Sequence, residues 1–321
     1  MKKLPRILAL ITLLSLCLTL GAAAFAEESS VRVYTLNGTT GFGMAGLIAA
    51  AEEGETALNY EFTVETDPSV VTAALISGDC DLAALPTNAA AVLYNKTEGA
   101  VQVLALNTRG VLYLVTDGET KIKSLADLEG LNVYAPAQNP SFILRALCDA
   151  AGVNVGIDNS YAQPAELNAA VAAGEVKLAV LPEPMVTAAR IQNPALVVAL
   201  DLTAEWDKVM EPGSLVQGCV AVRRDFAEAH PEALAAFLEE YGASIALLNE
   251  DAEAAAEKIE AAGIFAKAAV AAKAIPNCNV CFVTGEEMQQ QLTAFLQAMA
   301  DTAPQSIGGK LPEDDFYCVL K

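Results

Sequence analysis

Apolar residues follow two rhythms along this chain. Short runs with strand character fall at 31–36, 60–64, 81–85, 101–106 and 111–116. Between them, 42–53, 68–77 and 88–94 carry apolar residues at helical spacing, and Gly54 and Gly78 end the first two. This β-α-β-α-β-α-β series predicts a mostly parallel sheet with helices on both faces. Asp117-Gly118 breaks the series, and a capped turn at 124–128 opens a second one. Strands are expected at 132–134, 160–162, 177–181 and 195–200, with helices over 140–151, 164–173 and 183–191. A strand at 215–222 returns to the first unit. Everything after it reads as helical, over 231–249, 252–262, 266–274 and 286–300.

The expected fold class is therefore α/β, with two lobes. Residues 27–116 and 217–321 make the first lobe, and 117–216 make the second. The chain crosses near 116–119 and near 213–218. Two crossing strands form a hinge, with a cleft between the lobes.

One stretch organises the first lobe: LISGDCDLAALPTNAAAVL, at 75–93. A helix ends at Gly78, a buried strand follows, and Pro86-Thr87-Asn88 turns into the next helix, with Thr87 as its expected cap. Such a helix presents free N–H groups at the carboxyl edge of a sheet, where open α/β sheets bind ligands and helix starts favour anions. The same device recurs at Asn37-Gly38-Thr39-Thr40-Gly41, at Ala137-Gln138-Asn139-Pro140-Ser141 and at Pro182-Glu183-Pro184, and Thr108-Arg109 ends a further strand. The candidate ligand-binding residues are Asn37, Gly38, Thr39, Thr40, Gly41, Pro86, Thr87, Asn88, Thr108, Arg109, Asn139, Pro140, Ser141 and Glu183. They offer hydroxyls, amides and one guanidinium, a set suited to capturing a small polar ligand. Arg109 can grip an oxyanion in bidentate fashion or pair with a surface acid. Glu183 can bind a cationic or amide group or complement the dipole of its own helix. Phe42, Tyr113, Phe142 and Trp206 offer a stacking wall, although a single tryptophan is more often core.

Composition narrows the function. Hydrophobic residues make up 54% and charged residues 18%, enough for two buried cores. Residues 1–26 read as a secretory signal: Lys2, Lys3 and Arg6 precede an apolar run, and Ala24-Phe25-Ala26 fits the cleavage site. The apolar run is shorter than a spanning helix needs, and Leu16 before Cys17 is too large for a lipidation site. The whole chain carries a net charge of −21, and losing those three bases takes it to about −24. That argues against nucleic acid and anionic membrane surfaces as partners, though not against a small anionic ligand, because a local site can oppose the global field.

Covalent chemistry is thin. Six cysteines remain after the signal, and buried free thiols are the favoured assignment. Cys278-Asn279-Val280-Cys281 has no second pair, and His230 is the only histidine, so a four-ligand zinc site is not expected. Gly41-Phe42-Gly43-Met44-Ala45-Gly46 is a literal dinucleotide fingerprint, with Glu65 ending the next strand. A long loop separates it from the preceding strand, and export makes dinucleotides scarce. Close helix packing at Gly43 and Gly46 is the favoured explanation, and no cofactor is expected.

Several stretches resemble one family. GDCDLAALPTN at 78–88, LALNTRGVLY at 104–113, SLADLEG at 124–130, LPEP at 181–184, residues 274–281 and the closing GGKLPEDDFY are similar to substrate-binding proteins of ABC importers. The type is that of nitrate, sulfonate and taurine, the group that includes thiamine-pyrimidine binding proteins. The resemblance implies a type II periplasmic-binding-protein fold, two α/β lobes joined by a two-stranded hinge. It also implies a non-enzymatic, extracytoplasmic, monomeric protein that closes on a small anionic or polar heterocyclic ligand. Its partners would be a membrane permease and the permease's ATPase. Thr39-Thr40 and Ser141-Phe142 depart from the residues common in relatives, so the ligand does not carry over. Alternatives are the binding module of a sensor system and an enzyme on the same fold, either a thiamine-pyrimidine synthase type or an exported dinucleotide oxidoreductase.

Overall fold

The structure is a computed structural model, and it describes residues 30–320. The proposed signal segment lies outside the described residues.

Four strands open the chain: β1 (Val31–Leu36), β2 (Tyr60–Glu65), β3 (Leu82–Pro86) and β4 (Val101–Arg109). Five follow: β5 (Leu112–Thr116), β6 (Asn132–Tyr134), β7 (Gly156–Asp158), β8 (Leu178–Pro182) and β9 (Val197–Asp201). β10 (Val216–Arg223) and β11 (Val280–Val283) complete the set. Helices α1 (Thr39–Phe42), α2 (Ala45–Glu52), α3 (Pro68–Ser77) and α4 (Thr87–Lys96) alternate with the first strands. The second series holds α5 (Asn139–Ala151), α6 (Pro164–Ala172), α7 (Met185–Gln192) and α8 (Leu202–Val209). The remainder is α9 (Arg224–Ala229), α10 (Pro231–Glu250), α11 (Ala252–Ala261), α12 (Ala268–Ala274) and α13 (Gly285–Thr302).

The strands form two sheets, ordered β11-β4-β10-β3-β1-β2 and β7-β6-β8-β5-β9. The first sheet is mixed rather than mostly parallel. β1 lies parallel between β2 and β3, but β10 inserts antiparallel between β3 and β4. Its run VQGCVAV is buried throughout, as a central strand's must be. β11 is a strand where only helices were expected after β10. It pairs antiparallel with the outer edge of β4.

The first crossing also differs from expectation. β5 pairs antiparallel with β8 and β9 in the second sheet, so the chain changes sheet at Gly110-Val111 rather than at 116–119. It returns over 210–215, between α8 and β10. The strand expected at 160–162 falls earlier, at β7.

The cores explain how the sheets are held. One apolar cluster runs from Leu85 and Leu106 on the first sheet to Leu114 and Val133 on the second and Leu144 on α5. Helix α13 joins the two through Met288, Leu292 and Phe295. The Phe295 ring lies 5.9 Å from that of Trp206. Trp206 is fully buried, and its indole N–H donates to Ser214 Oγ at 2.8 Å, so it packs the core and is not free to stack on a ligand. A second cluster, around Val33, Phe42, Leu82 and Phe237, covers the other face of the first sheet.

The glycine fingerprint has a packing explanation. A Cβ on Gly46 would lie 2.6 Å from Ser244 Oγ, and one on Gly43 would lie 2.8 Å from Ile245. Both glycines admit α10, a helix, where packing on the sheet was expected. Ser244 also splits the single helix predicted over 42–53 into α1 and α2. Its hydroxyl donates to the Gly43 carbonyl at 2.6 Å and accepts from the Leu47 N–H at 3.0 Å.

Candidate functional site

A cavity of about 550 Å³ lies where α4 begins. One face of α4, from Asn88 to Lys96, forms a wall about 12 Å long at 1.5 Å per residue. The facing wall is α3, through Ser69, Thr72 and Ile76. Gln138 and Phe142, from the start of α5 in the second sheet's half, close one end. Ala303, Gln305 and Ser306, after α13, close another side. Both halves of the molecule thus contribute to one recess.

Local sequence explains the position of α4. β3 is buried, and Pro86, held at φ −60° and ψ 138°, stops it and serves as the N-cap. Thr87 was expected to be the cap, but it makes no cap hydrogen bond. It is the first helical residue, fully buried, and its hydroxyl donates to the Val216 carbonyl on β10 at 2.7 Å. Asn88 is 8% exposed. Its side-chain amide donates to the Ser306 carbonyl at 3.2 Å. Among the described residues its Oδ1 has no hydrogen-bond partner, and neither has Ser306 Oγ.

The other expected site residues are not gathered in this recess. Asn37 is exposed, and its N–H donates to the Glu65 carbonyl at 2.8 Å. Gly38 sits at φ 87°, a conformation that favours glycine, and its N–H donates to Ile264. Gly41 has the Leu36 carbonyl 2.0 Å from where a Cβ would stand. The carbonyl of Thr39 accepts from Thr108 Oγ1 at 3.5 Å, and that of Thr40 from the Asn107 amide at 3.1 Å. The first loop and the end of β4 therefore form one group, tied together by their own hydrogen bonds.

Arg109 takes the surface-pair option, with Glu287 Oε1 at 3.6 Å. The same guanidinium lies by Cys281, whose thiol burial pushes up to about 11 while Arg109 pulls it down. Asn139 and Pro140 open α5. The Ser141 hydroxyl donates to the Pro136 carbonyl at 2.7 Å and accepts from the Asn159 amide at 2.5 Å. Glu183 is 4% exposed. It accepts from Thr187, at 3.0 Å from the N–H and 2.9 Å from the hydroxyl. Burial raises its pKa despite those bonds. Beside it, the Tyr113 hydroxyl donates to the Asn277 carbonyl at 2.8 Å, joining the two halves.

The sequence therefore pointed to Asn88 but missed Ser306. No motif marks Ser306; its relation to Asn88 exists only in the fold. Among the described residues, no group of three or more His, Cys, Asp or Glu side chains is placed to hold a metal ion. No helix among them is long and apolar enough to cross a membrane.

The comparisons give this architecture a family. The family model described as "ABC transporter, phosphonate, periplasmic substrate-binding protein" matches residues 51–269. The chain belongs to that family. Its members are substrate-binding components of import systems, which places the protein outside the cytoplasm. No curated protein sequence matches the chain. Among solved structures, an ABC transporter protein from Parabacteroides distasonis is 23% identical, with a TM-score of 0.78 over 92% of this chain and 100% of that one. The periplasmic aliphatic sulphonate binding protein SsuA from Escherichia coli is 16% identical, with a TM-score of 0.71 over 91% and 94%. The periplasmic nitrate-binding protein NrtA from Synechocystis is 14% identical, with a TM-score of 0.55 over 73% and 66%. At these identities the likeness is one of fold, the periplasmic-binding-protein fold.

Proposed function

We propose that this chain captures a small anionic or polar heterocyclic ligand between its two lobes and delivers it to a membrane permease powered by an ATPase. The observation that carries this is the recess at the start of α4, whose walls α3 and α4 belong to the first lobe and whose end is closed by Gln138 and Phe142 of the second. A ligand there touches both halves at once, so contacts unique to the closed form would drive closure as a population shift. The hinge is the pair of crossings at Gly110-Val111 and 210–215. Export through the segment 1–26 and action as a monomer belong to the same proposal.

The test is a thermal-shift screen of residues 27–321 against aliphatic sulfonates, phosphonates, nitrate, nucleobases, pyrimidines and aromatic acids, with NAD as a control. A ligand at 100 times its Kd stabilises by about 2.7 kcal/mol, which is readily seen. Binding of one class, with a smaller radius of gyration by X-ray scattering, supports capture and closure. A shift with NAD alone would return the glycine fingerprint to consideration, and no shift from any class would overturn the proposal.

A further inference from the structure

Resting on the capture function just proposed, we infer that the recess takes an organic anion with a long apolar body, its head group at Lys96 and its tail against Phe142 of the second lobe.

The topology sets the direction. β1, β2 and β3 are parallel, so α3 and α4 both start at the carboxyl edge of the first sheet and run away from it. β4 runs the same way as β3, since β10 lies antiparallel to both, and at that edge it leads into the second sheet. Gln138 and Phe142 therefore close the end where α4 begins. Lys96, in the last turn of α4, and Ile76, in the last turn of α3, form the far end.

The two ends differ chemically. Among the described residues, Lys96 is the only charged side chain lining the recess, and it has no ion-pair partner. No carboxylate among them lines it, although the chain carries 40 acidic side chains. Three other hollows each have Asp or Glu in their walls. A lysine in the last turn also complements the helix dipole, but that does not account for walls without acids. From Lys96 toward the second lobe the lining is largely apolar, through Ile76, Val92, Leu93 and Pro68 to the Phe142 ring. Ile76 is 63% exposed, more than any other large hydrophobic side chain described, and a ligand's tail would cover it. Asn88 Oδ1 and Ser306 Oγ are buried inside the wall and present no polar surface to that tail.

Length then couples binding to closure. Asn88 and Lys96 stand about 12 Å apart along α4, at 1.5 Å per residue. Held by its head group at Lys96, a ligand reaches Phe142 only if its body spans that distance. A short anion would stay with the first lobe.

The probes are ethane-, hexane- and decanesulfonate, with decyltrimethylammonium as the cationic control, titrated by calorimetry into residues 27–321. Each added methylene should tighten binding about three- to fourfold until the chain fills the recess. Only the longer chains should lower the radius of gyration by X-ray scattering. Lys96 is exposed, so Lys96→Glu should fold normally. It should weaken decanesulfonate and strengthen decyltrimethylammonium, each about two- to fivefold. Phe142→Ala should weaken decanesulfonate more than ethanesulfonate. Affinity independent of chain length, or a Lys96→Glu variant with unchanged preference between the two decyl probes, would overturn the inference and leave capture in the cleft standing. Tightening with length but without closure would overturn it as well. So would failure of every sulfonate to bind, while a hit of another class in the screen above would still support capture.

Discussion

The side-chain amide of Asn88 donates to the main-chain carbonyl of Ser306 at 3.2 Å, across 218 residues of sequence. The bond pins the last segment of the chain against the first turn of α4. The segment continues as a strap along the first lobe. The Arg224 guanidinium reaches Asp315 Oδ2 at 2.8 Å, Tyr94 bonds to the same carboxylate, and the Cys318 N–H donates to the Val103 carbonyl at 2.8 Å. That last contact covers part of the β4 edge that β11 leaves open.

The strap is expected to be structural as well as a wall of the recess. Phe316 is fully buried, with its ring 5.0 Å from that of Tyr94. Phe316→Ala should lower unfolding free energy by about 3–5 kcal/mol in urea titration, the usual loss for an aromatic core residue. A loss below about 1 kcal/mol would mean the strap is loosely held and cannot shape the site.

Much of this was legible before the fold was known, and the exceptions have physical reasons. The unit from α3 to α4 could be read directly, because Gly78 ends one helix at φ 82° and Pro86 starts the next. The insertion of β10 between β3 and β4 could not be read, because it depends on pairing between residues more than a hundred positions apart. The first crossing was misplaced because Asp117-Gly118 is a stronger turn signal than Gly110-Val111, where the chain passes almost straight from β4 to β5. Asn88 was found as the start of a helix after a strand. Ser306 sits in a short turn among polar residues, and nothing nearby distinguishes it.

Glu183 gives a prediction about pH. Burial raises its proton affinity in the folded chain, against the pull of Thr187 and of nearby Arg190. A raised carboxyl favours folding when protonated. Its contribution is therefore complete below the unfolded value of about 4.3 and is lost as pH rises through the higher folded value. Glu183→Gln removes this dependence. Its melting temperature minus that of the wild type should grow between pH 4 and pH 8. A difference that shrinks over that range would show that the carboxylate is stabilised by its partners rather than penalised by burial.

The thiols should be quiet. All six described cysteines are free, and burial pushes Cys80 up to about 12 and Cys148 up to about 11. Little thiolate exists at pH 8, and thiolate is the reactive form. Ellman's reagent should therefore react slowly with native residues 27–321 and count six thiols once the chain is unfolded in guanidinium without reductant. A count of four would reveal a disulfide, and Cys278 with Cys281 would be the first pair to examine.

The proposed hinge should be sensitive at Gly110. A Cβ there would lie 2.2 Å from Thr203 Oγ1 and 2.6 Å from Leu215 Cδ2, so the outgoing and returning crossings meet at this residue. Gly110→Ala forces the two apart and should cost about 1–3 kcal/mol, as overpacking does. Thr203→Ala removes the nearer obstacle, and its own hydroxyl has no partner among the described residues, so it should cost little. The double variant should then be more stable than the sum of the single changes predicts, by more than about 0.5 kcal/mol, the coupling expected of residues in contact. A strictly additive cycle would mean that α8 moves aside freely, and that the crossings are not packed tightly enough to act as one hinge.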